Sequence, residues 1–243
     1  MSRFSASIEV GGDKWCTIWV PELLGLFVNE PSERAALRAL PDAIAAYCAW
    51  LRGHGEPVRQ PRTIRYRIIE RHDVRSGLRW GEYDVLHTFE RRAVAPEEVA
   101  RALRWMGLMR SETVRFVESL PPDCLHWSRP GQIRTIKRHL QHIASAERWY
   151  LQRLALGPFP DLGRTRDPLE RLARVRMLVG WKLLRLTPEE CARIVKTDHK
   201  WWSARKMLGR FLYHERYHLR SIARIARYHR ARVPEGLGGW AQY

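Results

Sequence analysis

The sequence of 243 residues has few cysteines, and their spacing predicts no structural role for them. Cys16, Cys48, Cys124 and Cys191 lie far apart, and no two of them form a CxxC pair. The spacings typical of disulfide frameworks and of cysteine-based zinc sites are therefore absent. Because free thiols are typical of reducing compartments, we expect a cytoplasmic protein.

Long apolar runs are also absent. No window approaches the roughly 20 apolar residues that a membrane-spanning helix requires, and the first fifteen residues lack the charged and then apolar pattern of a secretory signal. We expect neither export nor membrane insertion.

Acidic residues are scarce, with 26 against 43 basic residues and a formal net charge of +17 at pH 7. A charge of this size is a reason to consider nucleic acid as a partner. The basic residues are mostly arginines spread along the chain, however, without a Lys/Arg block or an RNA-binding motif. We therefore favour an arginine-rich, solvated surface that attracts anionic small molecules.

The first quarter of the chain has the pattern of a small α/β unit. Alternating apolar residues predict strands at RFSASIEV and KWCTIWV, with a Gly-Gly-Asp turn between them. An alanine-rich helix at 31–55 and a further alternating segment, TIRYRIIER, follow. This order of strand pair, PELLG turn, helix and strand resembles the HicB-like domain, the partner half of bacterial toxin–antitoxin pairs. We assign residues 1–74 to a HicB-like α/β domain, for which the resemblance implies a structural or protein-contact role.

Helical periodicity dominates the remainder, residues 75–243. Pro96 and Pro168 stand where the first turn of a helix tolerates proline, and Asp167 is a suitable helix cap. The predicted amphipathic helices span about 96–120, 132–155, 168–186 and 203–228. Four such helices predict an antiparallel-type four-helix bundle, and the fold class of the whole chain is α+β. Both kinds of domain are compatible with a homodimer.

The last predicted helix carries His214-Glu215-x-x-His218, the HExxH spelling of zinc proteases. The apolar stripe of this helix consists of Met207, Phe211, Ile222 and Ile225. At helical spacing His214 and His218 complete that stripe, so both imidazoles are expected to point into the bundle core. Each would need a partner for a buried ring nitrogen, and one metal ion satisfies both. The alternative is a pair of core histidines with local hydrogen bonds.

A third ligand has an obvious source in His139 and His142 of the second predicted helix. Periodicity leaves open which of the two turns inward, because most apolar positions favour the face of His139 whereas His142 is aligned with Trp149. The other one is expected at the surface or at the helix edge.

Two segments, TIKRHLQHIASAERWYLQRL and WWSARKMLGRFLYHERYHLRSIARI, resemble the DinB-like superfamily of four-helix metal proteins, over about residues 93–230. In that family one histidine of the second helix joins two histidines four residues apart on the fourth. The resemblance implies His142, in HIASAE, together with His214 and His218 as the metal ligands. DinB-like enzymes include thiol-dependent S-transferases and isomerases that use low-molecular-weight bacterial thiols.

The resemblance thus implies a divalent metal, and zinc, nickel and iron all accept imidazole ligands. We expect a metal-dependent thiol transferase or hydrolase of unknown substrate, acting on a small molecule such as an anionic thiol. The alternative is a non-enzymatic binding protein in a stress or toxin–antitoxin setting, with a structural metal. Trp201 and Trp202, just before the last helix, are candidates for the wall of a substrate pocket.

A zinc protease is disfavoured, because Arg224 stands where metzincins place their third histidine. Glu215 lies roughly 100° around the helix from His214. This position favours a salt bridge or a contact behind the ligands, and Glu215 is the sole, minor candidate for a catalytic role.

Overall fold

A computed structural model describes residues 2–60, 62–79, 85–128 and 134–240. The N-terminal part is a four-stranded sheet with one helix, α1 (Glu33–Gly53). Its strands are β1 (Ser2–Val10), β2 (Cys16–Trp19), β3 (Phe27–Glu30) and β4 (Ile64–Asp73), in the order β3-β2-β1-β4. β1 and β2 form the predicted antiparallel hairpin, β3 pairs antiparallel with β2, and β4 runs parallel to β1.

Side chains alternate across this sheet and give its two faces different chemistry. On β1, Ala6 and Ile8 are fully buried in the core shared with Leu40 and Ile44 of α1. The intervening Ser7 and Glu9 of β1 are also fully buried, and they belong to the opposite face. The sheet is therefore covered on both sides, by α1 on one side and by later parts of the chain on the other.

The C-terminal part contains four long helices that pack on one another. They are α2 (Pro96–Glu118), α3 (Ile136–Arg153), α4 (Pro168–Leu183) and α6 (Ala204–Tyr228). The predicted helix at 132–155 begins outside the described residues, since 132 and 133 are not among them. α3, α4 and α6 begin with side-chain caps from Thr135, Asp167 and Ser203 that accept backbone N–H groups. The chain is thus a mixed α+β protein with an N-terminal sheet and a helical C-terminal region.

The segment between α4 and α6 holds structure that sequence periodicity does not predict. It contains the short helix α5 (Pro188–Ala192) and an antiparallel hairpin of β5 (Ile194–Thr197) and β6 (Lys200–Ser203). Trp201 and Trp202 lie on β6 rather than in a loop. No helix among the described residues is both long and apolar enough to cross a membrane.

Helix α6 contacts both parts of the chain. Arg216, which is 1% exposed, donates hydrogen bonds to the carbonyl oxygens of Gly25, Gly238 and Gly239. A Cβ atom on Gly25 would lie 2.4 Å from Cβ of Leu212. The sheet and the helices therefore share one continuous hydrophobic core, and the division at residues 74 and 75 stays a prediction.

Candidate metal centre

Three imidazoles converge between α3 and α6. Nε2 of His214 lies 3.3 Å from Nε2 of His142 and 3.1 Å from Nε2 of His218. One nitrogen of each of these three rings lies within 4.8 Å of those of the other two. The structure thus brings together the three histidines that the sequence analysis selects.

These distances fit a divalent transition metal better than a set of hydrogen bonds. With Zn–N bonds of about 2.0–2.1 Å, tetrahedral ligand nitrogens lie roughly 3.3 Å apart. A neutral imidazole nitrogen either carries one hydrogen or offers one lone pair, so Nε2 of His214 cannot make good hydrogen bonds to both neighbours. One ion could accept the lone pairs of all three rings.

His139 also belongs to this cluster, in contrast to the expectation that the histidine not selected lies at the surface. It is 8% exposed, and its Nδ1 lies 2.8 Å from Nδ1 of His218. Residues three apart on a helix differ by only about 60° in direction, so both histidines of α3 fit the face that meets α6. If Nε2 of His218 faces a metal, its Nδ1–H donates to His139 and fixes the tautomer that the metal needs.

Burial keeps these imidazoles neutral at neutral pH. It lowers the pKa of His139 to about 4 and that of His214 to about 3, and it holds the pKa of His218 well below the usual value. The pKa of His142 is also lowered, first by burial and then by the positive charge of Arg134. Neutral imidazole is the form that binds a metal ion.

Glu215 faces away from the convergence point into a buried network of four charges. Nε of Arg110 donates to its Oε1 at 2.7 Å, and a terminal nitrogen of Arg176 donates to its Oε2 at 2.8 Å. Glu147 accepts from both arginines. Burial raises the pKa of Glu215, but the two guanidinium groups outweigh this and lower it overall. Because both its oxygens hold guanidinium groups, Glu215 has the geometry of a structural ion pair.

The tryptophans suggested for a pocket wall differ in their positions. Trp202 is buried, and its ring centroid lies 5.7 Å from that of Tyr150, which in turn lies 5.8 Å from that of His214. Trp201 is 43% exposed. Trp202 therefore supports the histidine site through Tyr150, and Trp201 faces outward.

Two exposed arginines lie close enough to act on the histidine cluster. Arg134 and Arg224 are exposed, and both act electrostatically on His139. A separate cleft of about 690 Å³ is formed by α3, the loop 161–166 and α4, and its lining includes Arg148, Arg171 and Arg174 but none of the clustered histidines. The arginine excess of the sequence is thus partly concentrated around these two places.

Comparison with known proteins shows a family similarity in the helical region. Residues 106–222 match the family model described as the DinB superfamily. Over these residues the helical region is similar to the DinB superfamily, and we call it the DinB-like region. The matched segment includes His139, His142, His214 and His218, and it leaves out the N-terminal sheet. Among curated proteins, none matches the chain significantly.

Among solved structures, YfiT from Bacillus subtilis is similar in fold, with 19% sequence identity and a TM-score of 0.48. The similarity covers 63% of this chain and 97% of YfiT. That protein is described as a probable metal-dependent hydrolase with an unusual four-helix bundle topology.

Two features of the DinB-like region are not evident in its sequence. The contact of His139 with His218 had one signal, the i, i+3 pair of histidines on α3. No sequence pattern indicates the ion pairs of Arg110, Glu147 and Arg176. Arginine and glutamate are normally expected at the surface, and a buried pair of them cannot be recognised from the sequence.

Proposed function

We propose that the DinB-like region holds a divalent metal ion through His142, His214 and His218 and that the protein is a metal-dependent enzyme. The observation that carries this proposal is the approach of Nε2 of His214 to Nε2 of the other two rings, at 3.3 and 3.1 Å. Zinc, nickel and iron(II) all suit three imidazole ligands.

The arrangement of His139 favours a catalytic over a closed structural site. Its Nδ1 is turned to Nδ1 of His218 rather than to the convergence point, so three nitrogens are left as ligands. Catalytic sites typically combine three protein ligands with an open position. A divalent ion there would acidify a bound thiol or water and so supply a nucleophile near neutral pH.

The reaction we propose is thiol transfer or hydrolysis, with an anionic small molecule, such as a low-molecular-weight thiol, as substrate. The support for an anionic substrate is the positive charge of Arg134 and Arg224 beside His139. These arginines would attract a carboxylate and orient it, while the neutral imidazoles hold the ion.

The first experiment is elemental mass spectrometry of the purified protein after loading with zinc or nickel. We expect His142→Ala, His214→Ala and His218→Ala each to bind one equivalent of metal less than the unaltered protein. His126→Ala removes an exposed histidine outside the cluster and serves as the control. Equal metal in all four variants would refute the proposed ligand set.

The second experiment measures turnover by the metal-loaded protein with low-molecular-weight thiols and with ester and amide substrates. We expect activity that disappears with His214→Ala. Bound metal without any turnover would instead favour the alternative, an interaction protein whose metal is structural.

We also infer that the N-terminal sheet is a HicB-like module. The order β1, β2, β3, α1, β4 agrees with the strand, turn and helix order on which that resemblance rests. Retention of a protein partner by the full chain, lost on substitution of exposed residues of this sheet, would support the inference. Unchanged retention would contradict it.

A further inference from the structure

A second group of metal-binding side chains lies outside the DinB-like helices, on the face of the sheet opposite α1. β1 and β4 run side by side there, with Ser7 paired with Glu70 and Glu9 paired with His72. All four side chains belong to the same face, because residues two apart on a strand point the same way. His87, which is fully buried, covers them from the segment before α2.

His87 is held in one orientation by Glu9. Its Nε2 lies 2.9 Å from Oε1 of Glu9, and the indole N–H of Trp19 donates to the same oxygen at 3.2 Å. Because a carboxylate only accepts, Nε2 of His87 carries a hydrogen, and in the neutral ring Nδ1 then offers a lone pair. A buried carboxylate that accepts from a histidine N–H is the usual support of a metal-bound imidazole.

The Nδ1 side of the His87 ring lies near Glu70 and His72. Oε1 of Glu70 lies 3.1 Å from its Nδ1, yet this buried nitrogen has no hydrogen-bond partner among the described residues. Nε2 of His72 lies 3.2 Å from Oε2 of Glu70. Ligand atoms of Glu70, His72 and His87 all lie within 4.8 Å of one another.

Neighbouring hydroxyl groups orient the carboxylate of Glu70, as is usual for a metal ligand. The hydroxyl of Ser7 donates to its Oε1 at 2.8 Å, and the hydroxyl of Thr88 donates to its Oε2 at 3.0 Å. Nζ of Lys206 donates to the carbonyl oxygens of Val85 and Trp201, although its charge also acts on Glu9. A divalent cation bound by Glu70, His72 and His87 would add positive charge beside the carboxylates of Glu9 and Glu70.

We propose that Glu70, His72 and His87 form a second divalent-cation site, supported by Glu9. Two imidazoles and one carboxylate suit zinc, manganese or iron(II). His72 is the most accessible of the three, with 37% of its side chain exposed, so it closes the site from the solvent side. The site joins β1 and β4 to the segment that leads into the DinB-like region.

The test uses a protein in which two members of the histidine cluster are removed, His142→Ala/His214→Ala, loaded with zinc or manganese and analysed by elemental mass spectrometry and chelator competition. We expect one equivalent to remain bound. Adding His72→Ala should weaken binding by at least about tenfold, because loss of a residue that only supports a ligand already costs about that much. Absence of bound metal in the folded double variant would overturn the proposal.

The matched control is His54→Ala, because His54 also lies close to a glutamate, with Nε2 3.3 Å from Oε1 of Glu112, but belongs to no such group of three among the described residues. It should leave binding unchanged. If the double variant does not fold, His72→Ala in the otherwise unaltered protein should lower the saturating zinc content by one equivalent, and an unchanged content refutes the site. Neither measurement depends on the metal centre of the DinB-like region being occupied.

Discussion

Substitution of Glu215 by glutamine separates a structural from a catalytic role for the glutamate of the HExxH sequence. Its side chain is 1% exposed, and its carboxylate bonds to Arg110 and Arg176. Glutamine keeps the shape and one acceptor oxygen but removes the charge, which leaves two buried guanidinium groups with Glu147 alone. Breaking a buried ion pair by removing one partner costs about 3–5 kcal/mol. We expect Glu215→Gln to lower the free energy of unfolding by about 3 kcal/mol, the lower end, because one hydrogen bond can remain.

The assay is urea unfolding followed by circular dichroism, with metal content measured in parallel. Glu170→Gln, an exposed carboxylate paired with Arg174 on the same face of α4, is the matched control and should leave the unfolding midpoint nearly unchanged. Metal binding should persist in Glu215→Gln, because Glu215 does not face the histidine cluster. Wild-type stability combined with lost activity would refute this reasoning and assign Glu215 to the chemistry.

Three further predictions follow from the geometry. His139→Ala should lower metal affinity about tenfold without abolishing binding, as measured by chelator competition, and unchanged affinity would contradict its supporting role. The metal-free protein should lose stability as the pH falls below about 6.5, the pKa of a histidine in the unfolded chain. Burial lowers the pKa of His214 to about 3 in the folded protein, so below about pH 6.5 the unfolded chain binds more protons. Urea unfolding at several pH values should show this fall in the free energy of unfolding, and the fall should be smaller in His214→Ala. Gly25→Ala should cost more than about 1 kcal/mol, since φ is +83° and the new Cβ would lie 2.4 Å from Leu212; an unaltered melting temperature would count against this contact.

The parts of the structure that the sequence predicts are those where apolar periodicity is strong. His214 and His218 continue the stripe of Phe211 and Ile222 on α6, so their direction follows from helix geometry alone. The β1–β2 hairpin follows from alternation around a glycine turn. In both cases a single local period fixes the face on which each side chain lies.

The features that the sequence does not predict depend on contacts between distant segments of the chain. The choice between His139 and His142 could not be made by periodicity, because the face of α3 that meets α6 is wide enough for both. The hairpin of β5 and β6 consists of two four-residue strands, too short for a pattern to emerge. The burial of Arg216 depends on carbonyl groups more than 20 residues away along the chain, which no local pattern reveals.

Helix α6 explains why the sheet and the candidate metal centre belong to one structure. His214 and His218 face α3, Glu215 faces α2 and α4 through its ion pairs, and Arg216 bonds to the backbone of Gly25 beside the sheet. Where a helix is buried, it can carry polar residues only if each finds a partner. Loss of the sheet would expose the side chain of Arg216 and its apolar neighbours on α6. The same helix supplies two of the three proposed ligands. The N-terminal unit is therefore part of the support of that site.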